Sequence, residues 1–496
     1  MPDAVVIGGG FGGLAAAIRL QSQGIQTTLL EKRDRLGGRA YVYQQDGYTF
    51  DAGPTVITDP ACIDELFALS GRRLSDYATL LPIEPFYRLL WEDGVRFDYG
   101  NDQMALERQI AALSPPDVEG YRRFLVYSQA VFEEGYRRFG HVAFLSPWDM
   151  VKAAPQLARL GAWRSVHAMV SRFVREEHLR QALSFHTLLV GGSPFASSAI
   201  YALIHALERQ GGVWFPRGGT GALVAGLARL FADLGGSIRL SEPVAEIATE
   251  AARVTGVLTG RGERITADIV ISNGDVMHTY GALLRRHPRG AAMARRLDRR
   301  RFSMSLFVVY FGLRRQHPGL AHHSILFGPE YRGLIDAIRD ARPLREDFSL
   351  YLHAPGATDD SLAPPGRSGF YALAPVPNLA QQIDWKAAGP GYADRILAAL
   401  ERRVLPGLRD DLDTLRIFTP EDFRVELNAH LGSAFSLEPI LTQSAWFRVH
   451  NRDAVLRNLY FVGAGTHPGA GVPGVIGSAK ATARLVAEDL RAGLAA

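Results

Sequence analysis

Three glycines near the start of the chain have the spacing of a phosphate-binding turn. Gly8, Gly10 and Gly13 form a GxGxxG pattern within "VVIGGGFGGLAAAIRL". In this pattern the first glycine permits a tight turn, the second lets the backbone approach a pyrophosphate, and the third lets the helix pack against the strand. Glu31 follows at the distance where an acidic side chain binds the ribose hydroxyls. The spacing predicts a dinucleotide site, and the acid disfavours NADP because a 2′-phosphate would face a like charge.

The sequence on either side of the turn predicts the strands and the helix that must position these residues. Residues 4–7 are a short apolar run typical of a buried strand, and an alanine-rich helix follows the turn. Gly24 is well placed to end that helix, and "IQTTLLE" predicts a second parallel strand that ends at Glu31. The order and spacing of these elements and of Glu31 therefore match those of a dinucleotide-binding unit.

A second group of glycines follows directly. Gly37, Gly38 and Arg39 resemble the continuation of the FAD-binding motif in the amine oxidase and phytoene desaturase superfamily, where the arginine can neutralise a pyrophosphate. An ordinary loop with a solvated arginine is the alternative. The next segment, "FDAGPTVI", resembles the one that this superfamily places along the cofactor, and it supplies the candidates Asp51, Gly53 and Pro54.

The chain ends with another glycine-rich turn before a final helix. The segment "NLYFVGAGTHPGAGVPGVIGSAKATA" resembles the C-terminal segment of the bacterial-type phytoene desaturase family, and the resemblance extends over essentially the whole chain. One departure is Val449, where the family pattern leads us to expect proline. The resemblance adds candidate FAD contacts at Gly463, Gly465, Gly474 and Val475, and a backbone contact to adenine at Val244. For that last residue, a plain structural strand is the alternative.

The resemblance also implies an activity. Family members use one non-covalent FAD to introduce double bonds into a C40 polyene, and the implied reaction converts 15-cis-phytoene to all-trans-lycopene. A hydride passes from an allylic CH₂ to flavin N5, and the neighbouring carbon then loses a proton. The positive end of the last helix would favour negative charge on the reduced flavin. Oxygen or a quinone is the implied electron acceptor.

The predicted fold class is α/β. We expect a Rossmann-like FAD-binding domain with an inserted substrate domain, built on a mixed sheet plus helices that form an apolar tunnel and a membrane-facing region. The predicted limits are residues 1–75, 210–285 and 455–496 for the FAD domain, and residues 76–209 and 286–454 for the substrate region. A chain of 496 residues exceeds the size of one ordinary core, which favours two domains.

Other catalytic machinery is not evident in the sequence. The chain has no HExxH, no CxxC and a single cysteine, so we expect no disulfide and no metal site. The cofactor is therefore expected to carry the chemistry. Asp149, Lys152 and Arg332 are candidate proton-handling residues because they lie beside apolar segments; for each, an ordinary surface charge is the alternative.

Charge and hydropathy define the expected partners. A net charge of +4 without a recognised module excludes a nucleic-acid interface as the main function. The segment 144–174 is amphipathic, with basic polar positions and two tryptophans, which is typical of a helix lying on anionic lipid; a solvated surface helix is the alternative. We find no signal peptide and no apolar run long enough to span a bilayer, so we expect peripheral attachment to the cytoplasmic side of the membrane.

Two rival functions remain open from the sequence. Another flavoenzyme of the same fold, such as an amine oxidase, a carotenoid isomerase or a carotene ketolase, would share the nucleotide motifs. A prenyl-binding escort protein would share the fold without redox chemistry, although such proteins lack an intact flavin site.

Overall fold

The computed structural model describes residues 2–340, 342 and 348–493, and two large sheets organise it. All strands of the first sheet are parallel. Its five strands, in spatial order, are Leu459–Phe461, Ile269–Ser272, Asp3–Ile7, Gln26–Leu30 and Ser237–Arg239. They come from the beginning, the middle and the end of the chain. The predicted Rossmann-like α/β architecture is confirmed.

Both faces of this sheet are buried. Ala4 and Val6 of the central strand pack on one side against helices, while Val5 and Ile7 face a second core on the other side. The helices on the first side are Phe11–Ser22, Pro60–Ala68, Thr220–Asp233 and Val472–Arg491. A parallel strand covered on both faces is apolar at every position, which explains the continuous run at residues 4–7.

The second face is covered by an antiparallel sheet and two helices. These elements are the strands Val244–Glu250, Arg253–Thr259 and Arg264–Thr266, and the helices Val276–His278 and Pro288–Asp298. Val254 and Val257 of the middle strand are completely buried against the parallel sheet. The cover leaves the carboxyl ends of the parallel strands open, where the glycine turns lie.

The second large sheet is mixed, as predicted. Its strands, in order, are Leu412–Phe418, Ser305–Leu313, Ser368–Val376, Leu350–His353, His323–Leu326, Tyr87–Leu90 and Arg96–Tyr99. One pair, between the fifth and sixth of these strands, is parallel and the others are antiparallel. Two-stranded ribbons at Val42–Gln45 with Tyr48–Asp51 and at Leu80–Pro82 with Trp214–Pro216 complete the strands.

The two faces of the mixed sheet have different partners. In the strand Ser305–Leu313, Phe307 and Val309 pack against the helix Trp385–Arg403, while Val308 and Tyr310 point the opposite way. This follows from the two-residue period of a strand. The second set of side chains faces the remaining helices and the large cavity described below.

Helices between residues 103 and 211 form most of the wall opposite the mixed sheet. The remaining helices are Gln103–Leu113, Asp117–Phe132, Pro147–Arg159, Val166–Val170, Glu177–Ala182, Leu203–Gly211, Tyr331–Arg339 and Pro420–Leu427. In the second of these, Phe124, Val131 and Phe132 are buried, as their spacing predicts. Among the described residues, no helix combines the length and hydropathy needed to cross a bilayer.

A Gly13→Ala substitution tests the packing of the first helix on the first strand. A Cβ at Gly13 would lie 2.0 Å from the carbonyl oxygen of Gly8, and since the backbone fixes the positions of both atoms, neither can rotate away. Overpacking of this kind costs about 1–3 kcal/mol. We expect a lower thermal midpoint by circular dichroism.

Gly356→Ala is the matched control for this variant. A Cβ at Gly356 would meet no atom within 4 Å, and its backbone is not left-handed. Equal midpoints for the two variants would contradict the predicted close packing.

Candidate functional site

The first glycine turn connects the central strand to its helix. Gly8 has a φ of +95°, which favours glycine, and the helix begins after Gly10. A Cβ on Gly12 would lie 2.6 Å from Asn273 Oδ1 and 3.2 Å from the Cα of Gly463. The first turn is therefore in contact with the C-terminal glycine turn, although 450 residues separate them along the chain.

Glu31 lies over the first turn at the end of the second strand. Its Oε2 accepts a hydrogen bond from Gly9 N at 2.7 Å, and its Oε1 accepts one from Arg33 N at 3.0 Å. The residue is 5% exposed and lines the cavity beside Val244. Two backbone amides thus fix the carboxylate at the carboxyl edge of the sheet, where dinucleotides bind in this architecture.

Arg39 approaches the same space from the second glycine group. Gly37 and Gly38 have φ values of +125° and +57°, and Arg39 Nε donates to the carbonyl oxygen of Ala434 at 2.6 Å. Burial lowers the pKa of the guanidinium, and Asp275 opposes that effect. An anionic ligand beside this cation would offset the cost of its burial.

The C-terminal turn forms the opposite wall. Gly463 N donates to Ser478 Oγ at 2.8 Å, which ties the turn to the final helix. That helix begins at Val472 after Gly471, whose φ is +98°. A Cβ on Gly474 would lie 2.8 Å from the carbonyl oxygen of Gly469, so the turn is compact. The positive end of the helix lies on the cavity wall.

One cavity of about 570 Å³ connects these features with an apolar region. Side chains from the helical wall and from the mixed sheet line this region; they include Phe144, Leu157, Phe185, Leu203, Leu306 and Phe435. At the polar end of the cavity lie glycines, where an added Cβ would occupy the free space, and the partly buried Arg39. This arrangement fits the pyrophosphate and ribose of FAD.

Eleven of the fourteen predicted cofactor residues line this cavity. They are Gly8, Gly10, Glu31, Gly38, Arg39, Gly53, Pro54, Val244, Gly463, Gly474 and Val475. Gly13, Asp51 and Gly465 do not line it and lie behind the wall. A Cβ on Gly465 would lie 2.4 Å from Val276 Cγ1, so this glycine permits close packing. Direct contact of the eleven with FAD stays a prediction.

Asp51 supports the loop instead of facing the cavity. The carboxylate is 3% exposed and Oδ1 accepts from Gly221 N at 3.4 Å, at the start of the helix Thr220–Asp233. Burial raises its pKa to about 6. The nearby Gly53 approaches the backbone so closely that a Cβ would lie 2.0 Å from the carbonyl oxygen of Arg39.

The predicted proton-handling role of Asp149 and Lys152 is not supported. Asp149 accepts a hydrogen bond from Ser146 N at 3.0 Å and closes the capping box of the helix Pro147–Arg159. Lys152 is exposed to solvent. The same helix lines the cavity with Met150, Ala153 and Leu157, whereas neither Asp149 nor Lys152 is a lining residue.

Arg332 is also outside the cavity. Its side chain is 69% exposed and lies 3.7 Å from Asp336, one turn further along the helix. The guanidinium lies 4.8 Å from the ring centre of Phe195 on the surface. The neighbouring Tyr331 lines the cavity. The sequence therefore predicted the apolar surroundings of Arg332 correctly, but not the side of the helix on which Arg332 lies.

Glu208 is a cavity residue that the sequence analysis missed. It is completely buried, lines the cavity, and accepts a hydrogen bond from Tyr87 Oη at 2.7 Å. Leu203, Ile204 and Leu207 of its helix line the same cavity. Glu208 follows Ile204 by one helical turn and therefore lies on the apolar face of this helix. An acidic residue in that position is the feature from which the sequence could have predicted its role at the cavity.

Three buried histidines lie together at the ends of two neighbouring strands of the mixed sheet, His323–Leu326 and Leu350–His353. His322, His323 and His353 offer nitrogen atoms within 4.8 Å of one another, and they are the one such group found among the described residues. His353 Nε2 lies 3.0 Å from His322 Nε2, and His322 Nδ1 lies 2.7 Å from Thr358 Oγ1. Hydrogen bonds within the protein therefore engage most of the ring nitrogen atoms of this cluster.

The chain is similar to known flavin-dependent proteins over almost its full length. A family model described as flavin containing amine oxidoreductase matches residues 11–487. A phytoene desaturase (lycopene-forming) of Pseudescherichia vulneris is 61% identical over 492 residues, which cover 99% of this chain and 100% of that protein. One of the same description from Pantoea ananas is 60% identical over 491 residues, with 99% and 100% coverage.

Solved structures show the same fold at low identity. A putrescine oxidase variant, studied for redesign of cofactor binding, has a TM-score of 0.66 at 16% identity and covers 99% of both chains. At this identity the likeness concerns the fold alone.

A Glu31→Ala substitution tests the polar end of the cavity. Loss of a charged hydrogen-bond acceptor costs about 1.5–3 kcal/mol, which corresponds to about 10- to 100-fold weaker binding of FAD. Titration of the apoprotein with FAD, followed by flavin fluorescence, measures the change. Glu250→Ala is the control, because that side chain is 77% exposed. Equal affinity of the two variants would remove Glu31 from the site.

Proposed function

Because this chain belongs to the flavin-containing amine oxidoreductase family and, within it, to the phytoene desaturases, we propose that it converts 15-cis-phytoene to all-trans-lycopene in carotenoid biosynthesis. The observation that carries the proposal is 60–61% identity over almost the full length of two lycopene-forming relatives. FAD is the cofactor. Four desaturation steps are proposed.

The proposed FAD site consists of the eleven cavity-lining residues, with Gly13, Asp51 and Gly465 as supports. Glu31 would bind the ribose hydroxyls, and Arg39 would lie against the pyrophosphate. Bound FAD supplies the oxidation, by accepting a hydride from an allylic CH₂ of the substrate. The backbone amides at the start of the final helix would stabilise the negative charge that this transfer creates.

The apolar region of the same cavity is the proposed substrate site, and we propose that it forms a tunnel for the C40 chain. Side chains of the mixed sheet and of the helical wall exclude water from the reacting carbons, which prevents capture of a cationic intermediate. In this proposal residues 1–75, 210–285 and 455–496 bind FAD, and residues 76–209 and 286–454 bind the substrate. Oxygen or a quinone is the proposed final acceptor.

Another flavoenzyme of this fold and an escort protein are the competing functions. A yellow protein that leaves phytoene unchanged would favour an amine oxidase, an isomerase or a ketolase. A colourless protein with no affinity for FAD would favour the escort function, in conflict with the complete set of nucleotide motifs.

We also propose that the protein attaches peripherally to an anionic membrane, on the cytoplasmic side. Trp148, in the first turn of the helix Pro147–Arg159, is 69% exposed, and Trp163, shortly after the helix, is 63% exposed. Exposed basic residues, Lys152 and Arg159 among them, flank these rings. The turn Ala445–Phe447 contacts the same helix. Exposed aromatic rings beside basic side chains fit the interface of anionic lipid.

The activity is tested with phytoene in liposomes. We expect the protein, supplied with FAD and either oxygen or a quinone, to deplete phytoene and accumulate lycopene, because the proposed site joins the oxidant to an apolar chamber. Chromatography with absorbance detection separates the products. Phytoene that persists with both acceptors would contradict the proposal, and a product that stops at neurosporene would correct the number of steps.

Membrane attachment is tested with a double substitution, Trp148→Ser with Trp163→Ser. Burial of a large apolar side chain contributes about 1.5–3 kcal/mol, so we expect binding to anionic vesicles to weaken by at least tenfold. Vesicle co-sedimentation measures it. Met104→Ser is the control, since Met104 is 70% exposed on a different helix. Equal binding of control and double variant would contradict this orientation.

A further inference from the structure

Glu208 occupies a position where a carboxyl group is costly. Its side chain has no exposed surface, it lies on the helix Leu203–Gly211, and its neighbours at the cavity are apolar. Tyr87 Oη donates to Oε1 at 2.7 Å, while Oε2 makes no hydrogen bond and lies 3.1 Å from His186 Nε2. An unsatisfied buried carboxylate destabilises a fold, so its presence at a cavity wall calls for a functional reason.

The other carboxyl groups at the cavity lie at its polar end. Glu31 accepts from Gly9 N, and Asp275 accepts from Met277 N at 2.9 Å. Glu242 lies 3.0 Å from an arginine, and Glu426 lies 2.6 Å from another. Among the described residues that line the cavity, Glu208 is therefore the carboxyl group of the apolar region.

The helix that carries Glu208 reaches the predicted flavin segment. A Cβ on Gly211, at the end of this helix, would lie 2.3 Å from the carbonyl oxygen of Thr58. Thr58 lines the cavity, as do Gly53 and Pro54 a few positions before it. Glu208 is thus one helical turn from the loop that is proposed to lie along the cofactor.

The groups around Glu208 come from four elements. Tyr87 and Tyr99 belong to neighbouring strands of the mixed sheet, His205 to the same helix, and His186 to the turn Phe185–Val190. Burial raises the pKa of Glu208 to about 7, and His205 and the Tyr87 hydrogen bond oppose that effect. Burial lowers the pKa of His186 to about 3, so this ring is neutral although its Nε2 lies 3.1 Å from Oε2.

We propose that Glu208 is the catalytic base that removes the proton from the substrate. The inference rests on the proposed desaturation. After the allylic carbon gives up a hydride to FAD, the C–H bond of the adjacent carbon breaks, its electron pair forms the new C=C bond, and its proton forms an O–H bond at Oε2. The substrate loses two hydrogens in total, one as hydride and one as proton. Glu208 gives up this proton to solvent between two desaturation steps, after the desaturated chain has left the site and water reaches the carboxyl group.

A Glu208→Gln substitution in the FAD-loaded protein tests this role with phytoene liposomes. Glutamine keeps the shape and the acceptor for Tyr87 but cannot take a proton. We expect kcat to fall about 10²- to 10⁴-fold, the usual contribution of a general base, with unchanged FAD content and KM. We expect the wild-type kcat to rise with pH through about 7 as Glu208 loses its proton, and we expect the variant to lack this rise.

Two further variants keep the test decisive. Glu208→Asp retains a carboxylate, displaced by one methylene, so kcat falls less and a pH dependence remains. Tyr392→Phe removes a buried hydroxyl on the helix Trp385–Arg403, on the opposite face of the mixed sheet and away from the cavity, and we expect nearly normal kcat.

Each outcome has a distinct meaning. Wild-type-like kcat and pH profile in Glu208→Gln would overturn the role of Glu208 and leave the desaturase proposal intact. If that variant does not fold, a kcat of Glu208→Asp equal to that of the wild type, despite the displaced carboxylate, would do the same. A wild-type protein that leaves phytoene unchanged would instead overturn the desaturase proposal, and the role of Glu208 with it.

Discussion

The contact between the two glycine turns is the constraint on which the rest of this structure depends. Asn273 lies between them: its Nδ2 donates to the carbonyl oxygen of Gly8 at 3.1 Å, and a Cβ on Gly463 would lie 2.6 Å from its Oδ1. The two ends of the chain can meet here because the parallel sheet places their strands, Asp3–Ile7 and Leu459–Phe461, on either side of Ile269–Ser272, the strand that Asn273 follows. That arrangement leaves the middle of the chain to form the second sheet and the helical wall as an insertion.

The cavity joins two environments that would normally exclude each other. At the glycine turns, backbone amides and Arg39 provide an environment for anions, whereas the far region is lined by aliphatic and aromatic side chains. Ionic groups are costly in such apolar surroundings. The polar and apolar ligands of the proposed reaction can therefore meet only along one boundary, and Glu208 lies on the apolar side of it.

The sequence predicted the features that depend on local backbone conformation and on the order of the strands. The turn at Gly8 and the acid at Glu31 follow from backbone conformation and strand order, and the structure brings both to the cavity. Asp149 and Lys152 were chosen for their nearness to apolar residues, which does not tell which side chains of a helix reach the cavity, and neither of them lines it. Glu208 was missed because its position depends on Tyr87, which reaches it from a distant strand. Such tertiary contacts leave only weak signals in one sequence.

The helix Pro147–Arg159 connects the proposed membrane surface to the proposed substrate site within one turn. Met150 and Ala153 line the cavity, while Trp148 and Val151 are exposed on other sides of the same helix. A C40 hydrocarbon cannot cross water at a useful rate because exposure costs about 25 cal/mol per Å² of apolar surface. A helix with apolar residues on both its inner and outer sides would let the substrate move from lipid to cavity without that exposure. The same geometry explains why no charged side chain of this helix lines the cavity: a charge on the inner side would lie in the path of the substrate, and a charge on the outer side can reach the lipid headgroups.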